Sequence, residues 1–438
     1  MTYLHHRASQ EGSSDSRKHI KNLIVTLLVM MLAGSFIGLC AASLSLLLEH
    51  IQQWMLGGSE SVAHPEGVSL PARRMVSIVV ASVVAAVIWW LIRRKSTIPS
   101  VKQAMGGQKF PLFASLIHIV LQIFIVGSGL SIGRETAPRE LGALIGQRLS
   151  RIVRVSGSDM AVITACCAGA GFAGVYDAPL AGMFFAVEML LVDVSVRVVG
   201  LALGTSVMAA FSASLIKGSA AFYHIEPIEI NAQLLCLCLL VGPVMGVCAY
   251  AFRRGTAWAS QHQTKNIHIL WQLPVAGVIT AGVAYYIPQI MGNGRGLAQT
   301  AYNSTLSTSM TVLIGLAVLK AVITVMTVRC GASGGVLTPA IAAGGALGAV
   351  IAIAVSFFMP GVSISAVALI ASAAFLATSQ KAPLMATCLM MELSHSAMHS
   401  VLAVGLAVAL SVLVSYTIDK LIEHYCHNNV HGDQKGTQ

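Results

Sequence analysis

The amino-acid sequence predicts an all-α polytopic membrane protein made of two related halves, and three observations lead to this fold class. Hydrophobic residues make up 56% of the 438 residues, charged residues make up 10%, and the mean hydropathy is +0.77. Apolar runs long enough to cross a bilayer recur along the chain. An Ala-Pro-Leu segment occurs twice. A large soluble helical protein is excluded, because a soluble fold needs far more polar surface to cover its core.

The apolar runs give the predicted membrane spans. They lie at 23–48, 74–92, 112–132, 199–216, 233–252, 269–287, 311–328 and 401–418, with shorter or interrupted apolar segments at 161–190 and 336–357. The first 20 residues are polar, and the run after them is longer than a signal-peptide core, so we expect no cleaved signal. The nine cysteines have no ligand spacing, which predicts neither a metal site nor a cofactor.

The positive charges predict how the chain is oriented. The net charge is +10, and the basic residues cluster at the ends of apolar runs, which indicates cytoplasmic loops rather than a nucleic-acid surface. No Lys or Arg occurs in residues 51–72, whereas the 93–109 loop is basic. We therefore expect a cytoplasmic N-terminal segment (1–20), a membrane domain (21–425) and a short cytoplasmic tail (426–438), with 50–72 outside.

An internal repeat divides the membrane domain into halves of about 21–215 and 230–420. The segments DAPLAGMFFAVEML (177–190) and KAPLMATCLMMELS (381–394) share Ala-Pro-Leu at an offset of 204, and Glu188 and Glu392 follow in the same register. The segments GRETAP and GGVLTP correspond at an offset of 201. Several matched features at similar offsets indicate two homologous halves.

Three short segments predict helices that are broken at membrane depth: STIP (96–99), GRETA (133–137) and GASGGVLTP (331–339). A broken helix is tolerated there only against protein or a water-filled cavity. The N terminus of a half-helix carries free N–H donors and partial positive charge, which suit a dehydrated anion. Paired broken segments in corresponding halves therefore predict an anion-transport site near the membrane midplane.

At these segments the chain resembles the CLC family of chloride channels and chloride/proton exchangers. The family motifs read G-S-G-I-P, G-R-E-G-P and G-x-F-x-P, and this chain has KSTIP, GRETA and GVLTP in the same order. The resemblance covers about 20–425 and implies the CLC fold, two inverted-topology repeats whose broken helices meet at an anion site. It also implies a lipid-embedded homodimer with one pore per subunit. We expect no cytoplasmic regulatory domains after the membrane part.

The resemblance further implies a role for each matched residue. Ser96 matches the serine that contacts the central anion, and Glu135 matches the gating glutamate, which occupies an anion site when ionised and leaves it when protonated. The implied anion-binding set is Ser96, Gly133, Arg134, Glu135, Gly335, Val336, Leu337 and Tyr425, with Tyr416 as the alternative tyrosine. Val336 and Leu337 would donate backbone amides, and Arg134 is interpreted as a support rather than an anion ligand.

Met189 is the departure from the family pattern with the largest consequence. Exchangers of the family usually carry an inner, proton-carrying glutamate directly after the position matched by Glu188, and methionine cannot carry a proton. Two interpretations stay open: a channel-like, proton-gated chloride conductance, which we favour, or a chloride/proton antiporter whose protons take another route, such as water or Glu188. His118 lies before the gate motif and is either a hydrogen-bonded core histidine or a proton relay.

Smaller departures and other functions complete the prediction. Thr136 and Ala137 replace the family's Gly-Pro, and Pro138 comes one position later, which puts the backbone around Glu135 in question. Ser96 argues against fluoride- or nitrate-selective relatives, and an unrelated secondary transporter would lack the paired APL segments. No nucleophile–base pair or phosphate loop stands out, so we expect no enzyme. The resemblance implies chloride transport in a bacterial inner membrane.

Overall fold

The computed structural model describes residues 28, 30–58, 69–154, 157–192 and 194–433, and the regular elements of these residues are all helical. We number sixteen helices in chain order: α1 (Met30–Leu56), α2 (Pro71–Lys95), α3 (Val101–Met105), α4 (Leu112–Gly127), α5 (Thr136–Ile152), α6 (Ser158–Tyr176), α7 (Pro179–Leu191), α8 (Val196–Lys217), α9 (Ala232–Gln261), α10 (Ile269–Tyr286), α11 (Arg295–Tyr302), α12 (Met310–Arg329), α13 (Leu337–Ser356), α14 (Ile364–Gln380), α15 (Pro383–Ser394) and α16 (Val401–Asp433). The predicted N-terminal segment 1–20 lies outside the described residues.

Nine of the described helices are long and apolar enough to cross a membrane, which confirms the predicted class. They are α1, α2, α6, α8, α9, α10, α12, α13 and α16. The predicted span over 112–132 was wrong, because α4 ends at Gly127 after 16 residues. Gly129 then adopts a φ of 101°, a left-handed conformation that glycine accepts without strain and that reverses the chain. The segment 161–190 is interrupted as expected, because α6 ends at Tyr176 and α7 begins at Pro179, whereas α13 is a continuous helix where a shorter or interrupted segment was expected.

Matched backbone angles relate the two halves of the chain. Asp177 ends α6 with φ 54° and ψ 43°, and Lys381 ends α14 with φ 55° and ψ 41°. The next residues, Ala178 and Ala382, are also alike, at φ −130°, ψ 76° and φ −140°, ψ 75°. Left-handed conformations are uncommon for residues other than glycine, so their recurrence 204 positions apart is a structural repeat. Equivalent helices also have equivalent neighbours, since α5 packs on α6 and α13 packs on α14.

The repeated glutamates join the two halves. The carboxylate of Glu188 accepts backbone N–H groups of Leu384 at 3.1 Å and Met385 at 2.9 Å, in the first turn of α15. The carboxylate of Glu392 accepts those of Leu180 at 2.8 Å and Ala181 at 2.9 Å, in the first turn of α7. Each carboxylate satisfies the free donors of the other half's helix and lies at the positive end of its dipole. Such reciprocal contacts between equivalent residues are what a two-fold axis between the halves produces.

Candidate anion-transport site

An isolated antiparallel bridge joins the backbone just before α5 to the backbone just before α13. The N–H of Gly133 donates to the carbonyl of Gly335 at 2.7 Å, and the N–H of Gly335 donates to the carbonyl of Gly133 at 2.9 Å. Both half-helices therefore begin beside the same point, as the broken-helix prediction requires. Because each glycine N–H donates to the carbonyl of the other glycine, these two N–H groups are already used, and the contribution of the glycines is to let the two backbones approach closely.

Glu135 occupies the space between these helix starts. The residue is completely buried, and its Oε1 accepts the backbone N–H of Leu337 at 2.6 Å. Its Oε2 accepts the hydroxyl of Thr338 at 3.3 Å, and the Thr338 hydroxyl lies 2.9 Å from the hydroxyl of Tyr176. The carboxylate thus accepts hydrogen bonds from donors at the N terminus of α13, and a bound anion could accept hydrogen bonds from the same donors. Thr338 and Tyr176 were missed from the sequence, because each becomes part of the site only through tertiary contact.

Glycine is required on both sides of the Glu135 carboxylate. A Cβ atom added at Gly133 or at Gly335 would overlap the carboxylate oxygens of Glu135. Real Cβ atoms cannot approach that closely, so a side chain at either position would push the carboxylate off the Leu337 amide. The two glycines predicted as anion-site residues therefore define the width of the site.

The guanidinium of Arg134 packs against aromatic rings. Its guanidinium lies 5.4 Å from the ring centre of Tyr176 and 5.0 Å from that of Phe222, both within the range of cation–π attraction. Arg295 lies over the same Phe222 ring at 4.4 Å. These contacts fit the interpretation of Arg134 as a structural support, because they fix the position of its side chain next to Glu135.

The start of α5 accommodates the departures at Thr136, Ala137 and Pro138. Pro138 falls in the first turn of the helix, where backbone N–H groups have no intrahelical acceptor, so the missing proline donor costs little. Arg139 clamps this turn, since it donates to the carbonyl of Glu135 at 2.8 Å and to the hydroxyl of Thr136 at 2.9 Å. The turn that carries Glu135 is therefore held by side-chain contacts in place of the family's Gly-Pro.

Ser96 lies on a cavity of about 470 Å³ that leads towards Glu135. Thr136 and Gly334, the neighbours of Glu135 and Gly335, also line this cavity. The structure thus brings the predicted serine segment and both half-helix starts to one space, which we call the inner cavity. Its wall is basic: Lys265 lines it, as does Arg93, which donates to the carbonyls of Thr264 at 3.0 Å and Gly331 at 2.8 Å.

A glutamate other than Glu135 lines the inner cavity. The side chain of Glu140 is 13% exposed, and its Oε2 accepts the amide of Gln122 at 2.7 Å. The Nε2 atom of His118 lies 3.5 Å from the same oxygen, and the indole N–H of Trp89 donates to Nδ1 of His118 at 2.9 Å. His118 is therefore hydrogen-bonded within the protein, as one of its two interpretations predicted. Glu140 stands in the GRETAPREL stretch, but its partners come from α2 and α4, so the sequence did not assign it.

The remaining predicted residues lie elsewhere. Met189 is partly buried in a π-helical stretch of α7, next to the helix-capping Glu188. Tyr416 is 61% exposed on α16 with Lys420 over its ring, and it does not line the inner cavity. Tyr425 lies near the end of α16, and its side chain lies outside the described part of the protein, as does the end of the predicted tail 426–438.

Comparison with known proteins identifies the family. The family model described as voltage gated chloride channel matches residues 83–416. The voltage-gated ClC-type chloride channel ClcB of Salmonella typhimurium is 26% identical over 382 residues, which cover 83% of this chain and 90% of that protein. The ClcB protein of Citrobacter koseri is 26% identical over 335 residues, covering 74% and 80% of the two chains.

Solved structures share the fold. A slow cyanobacterial Cl⁻/H⁺ antiporter superposes with a TM-score of 0.77 at 20% identity, covering 90% of this chain and 94% of that one. A CLC-type fluoride/proton antiporter superposes with a TM-score of 0.66 at 19% identity, covering 89% and 95%. These matches confirm the predicted CLC fold with its inverted repeats, in an integral multi-pass membrane protein. The chain belongs to the voltage-gated chloride channel (CLC) family.

Proposed function

We propose that this protein carries chloride across the membrane through a pore in which Glu135 is the gate. The observation that supports this most directly is the hydrogen bond from the backbone N–H of Leu337 to the carboxylate of Glu135. A carboxylate held by N-terminal helix donors is a tethered anion, and chloride competes with it for those donors. A proton on Glu135 removes its charge and weakens its hold on the amide, so the site opens to chloride.

The inner cavity supplies the approach to this gate. Arg93 and Lys265 give its wall positive charge, while the guanidinium of Arg93 is already bonded to backbone carbonyls and to Ser333. Positive charge that does not bind the ion directly concentrates anions without trapping them, which suits conduction. The hydroxyl of Ser96 and the amide of Leu337 would then replace part of the hydration shell of chloride.

Two transport modes fit this gate. Met189 at the position of the usual inner glutamate favours a channel-like, proton-gated conductance, and the ClcB relatives carry the name of channels. Chloride/proton antiport is the second candidate, and Glu140 on the inner cavity favours it, because a carboxylate there can exchange protons with water. We also propose a homodimer with one pore per subunit, supported by family membership and by the exposed apolar Leu180 and Leu384 of α7 and α15.

The gate is tested by replacing Glu135→Gln in protein reconstituted into liposomes, with chloride efflux measured from pH 4.5 to 8. The neutral amide of this variant resembles the protonated gate, so we expect chloride flux to become independent of pH. The matched control is Glu423→Gln, which removes a carboxylate that is 65% exposed at the end of α16. A Glu135→Gln protein that keeps the wild-type pH profile would contradict the proposed gate.

The transport mode is tested by the reversal potential in a planar bilayer with a pH gradient imposed. A potential that follows the chloride gradient alone identifies a channel or an uncoupled carrier. A shift with the proton gradient identifies an antiporter, because each transported proton then contributes to the net charge moved.

A further inference from the structure

The inner cavity contains a carboxylate that chloride conduction alone does not require. Glu140 follows Glu135 by five residues, and five residues of α-helix rise by about 7.5 Å. A negative charge on an anion pathway repels chloride, so the ionised form of Glu140 opposes the basic wall of the cavity. The side chain is nevertheless held in place by named contacts and reaches the cavity.

The partners of Glu140 fix how its neighbour histidine is protonated. The indole of Trp89 is a donor only, so Nδ1 of His118 must accept and the ring proton resides on Nε2. Nε2 of His118 lies 3.5 Å from Oε2 of Glu140, and the amide of Gln122 donates to the same oxygen at 2.7 Å. Both contacts thus fall on one oxygen of Glu140. The other oxygen, Oε1, is the atom left to take up a proton.

Charged groups from three elements surround the cavity that Glu140 reaches. Arg93 of α2 and Lys265 of the loop after α9 line the same cavity, and the charge of Arg139 acts on Glu140 from α5 itself. His118 on α4 stays neutral while Trp89 donates to it. Arg139 donates to the backbone carbonyl of Glu135 and to the hydroxyl of Thr136, and its charge acts on both glutamates. Glu140 is therefore a partly buried acid near cationic side chains, and it lines the cavity.

We propose that Glu140 is the group through which protons from the cytoplasmic side reach Glu135, and that His118 is its positioning residue. A proton from the cytoplasm, carried by cavity water, binds Oε1 of Glu140 and forms an O–H bond. The O–H bond of Glu140 then breaks as cavity water carries the proton past Thr136 and Gly334 to the carboxylate of Glu135, where a new O–H bond forms. Glu140 is left ionised and is reprotonated from the cytoplasm, so protons balance at each turn.

This inference rests on the proposed gate and assigns the inner proton route that Met189 leaves open. The route runs along α5 and the inner cavity, whereas Glu188 is bonded to the first turn of α15. It applies to both transport modes. In a channel it makes opening respond to cytoplasmic pH, and in an antiporter it also carries the transported proton.

The experiment measures chloride flux in inverted membrane vesicles, whose cytoplasmic face is outside, and in right-side-out vesicles. Bath pH is then cytoplasmic pH in the first preparation and external pH in the second. For wild type we expect flux to rise as cytoplasmic pH falls, by at most about tenfold per pH unit, the limit for a one-proton step. Glu140→Gln should lose most of the response to cytoplasmic pH and keep the response to external pH. Glu135→Gln should lose both responses.

Two further variants separate a proton route from a folding defect. Glu140→Asp keeps a carboxylate and should keep a cytoplasmic response that Glu140→Gln lacks. Trp89→Phe removes the donor to Nδ1 of His118, which lets the ring become a cation beside Glu140 and disfavours its protonation. The midpoint of the cytoplasmic response should then move to lower pH. A purely structural role for this contact would change the amount of folded protein and leave the midpoint in place.

The outcomes distinguish this inference from the proposed gate. A Glu140→Gln protein that keeps the cytoplasmic response, or that loses the external response as well, overturns the assignment of Glu140. Wild-type vesicles without any cytoplasmic response overturn it too. In each of these cases the gate stands as long as Glu135→Gln abolishes whatever pH response wild type has.

Discussion

Helices α4 and α12 hold equivalent places in the two halves, yet they carry different ionisable residues at the same point. His118 on α4 and Lys320 on α12 are 202 positions apart, which is also the spacing between the bridged residues Gly133 and Gly335. His118 contacts Glu140, whose side chain reaches the inner cavity. Lys320 is completely buried.

The contacts of Lys320 show how its role differs from that of His118. Its Nζ donates to the carbonyls of Ile290 at 2.9 Å, Met291 at 3.3 Å and Gly292 at 2.8 Å. The N–H of Gly292 in turn donates to the carbonyl of Gly129, so this loop is tied to the reversal that follows α4. The lysine fixes backbone, whereas the histidine orients a carboxylate that water can reach. If the proposed proton route holds, the same place in an inverted repeat serves rigidity in one half and proton exchange in the other.

The largest effect that tests this comparison is on stability. Lys320→Met removes three hydrogen bonds to buried carbonyls, and we expect the free energy of unfolding to fall by roughly 3 kcal/mol or more. His118→Phe removes contacts beside a water-accessible cavity and should cost only about 1 kcal/mol. Thermal unfolding in detergent, followed by tryptophan fluorescence, measures both. Equal losses in the free energy of unfolding would mean that His118 and Lys320 contribute equally to stability, which would contradict the comparison.

A smaller effect tests the reciprocal helix caps. Glu188→Gln and Glu392→Gln each keep an acceptor but lose the charge at a helix N terminus, so each should destabilise the protein by about 1 kcal/mol. Because the contacts are equivalent, the two losses should be similar, and the pH profile of chloride flux should stay as in wild type. If Glu188→Gln alone flattened the cytoplasmic response, Glu188 would belong to the proton path and the symmetry of the caps would not extend to function.

The smallest expected effect is that of Met189→Glu. This variant restores the residue type that exchangers of the family usually carry after the position of Glu188, and proton uptake driven by a chloride gradient reports its effect. If protons already enter through Glu140, an added carboxylate on α7 should change proton flux by less than about twofold, equivalent to about 0.4 kcal/mol. A large gain would show that the inner acid was the missing component and would argue against the Glu140 route.

Much of the fold was predictable because the hydropathy pattern and the internal repeat can both be read from the local sequence. The spans and the two halves followed from apolar runs and from the paired Ala-Pro-Leu segments. The C-terminal end of α4 and the continuity of α13 did not follow, because apolar residues lie on both sides of these boundaries. There the helix ends depend on Gly129 and on tertiary packing, which a hydropathy pattern does not record.

The candidate site divides in the same way. Glu135 and Leu337 were predicted because their motifs are local in sequence, and the structure brings them within hydrogen-bonding distance. Glu140 was visible as a charge in an apolar region but had no assigned purpose. Its meaning depends on Trp89 and His118, which come from other helices. The roles assigned to Ser96 and Tyr425 remain predictions.

The crossed caps of Glu188 and Glu392 also constrain how the protein is made. Glu392 leaves the ribosome 204 residues after Glu188, which at 5–20 residues per second is a delay of roughly 10–40 s. During that time no carboxylate caps the N terminus of α7, and the carboxylate of Glu188 lacks the backbone N–H donors of α15. The first half therefore stays in the membrane with the surface of α7 uncovered. It reaches its final structure only after the second half has been synthesised. A chaperone or insertase that shields this surface would act in that interval.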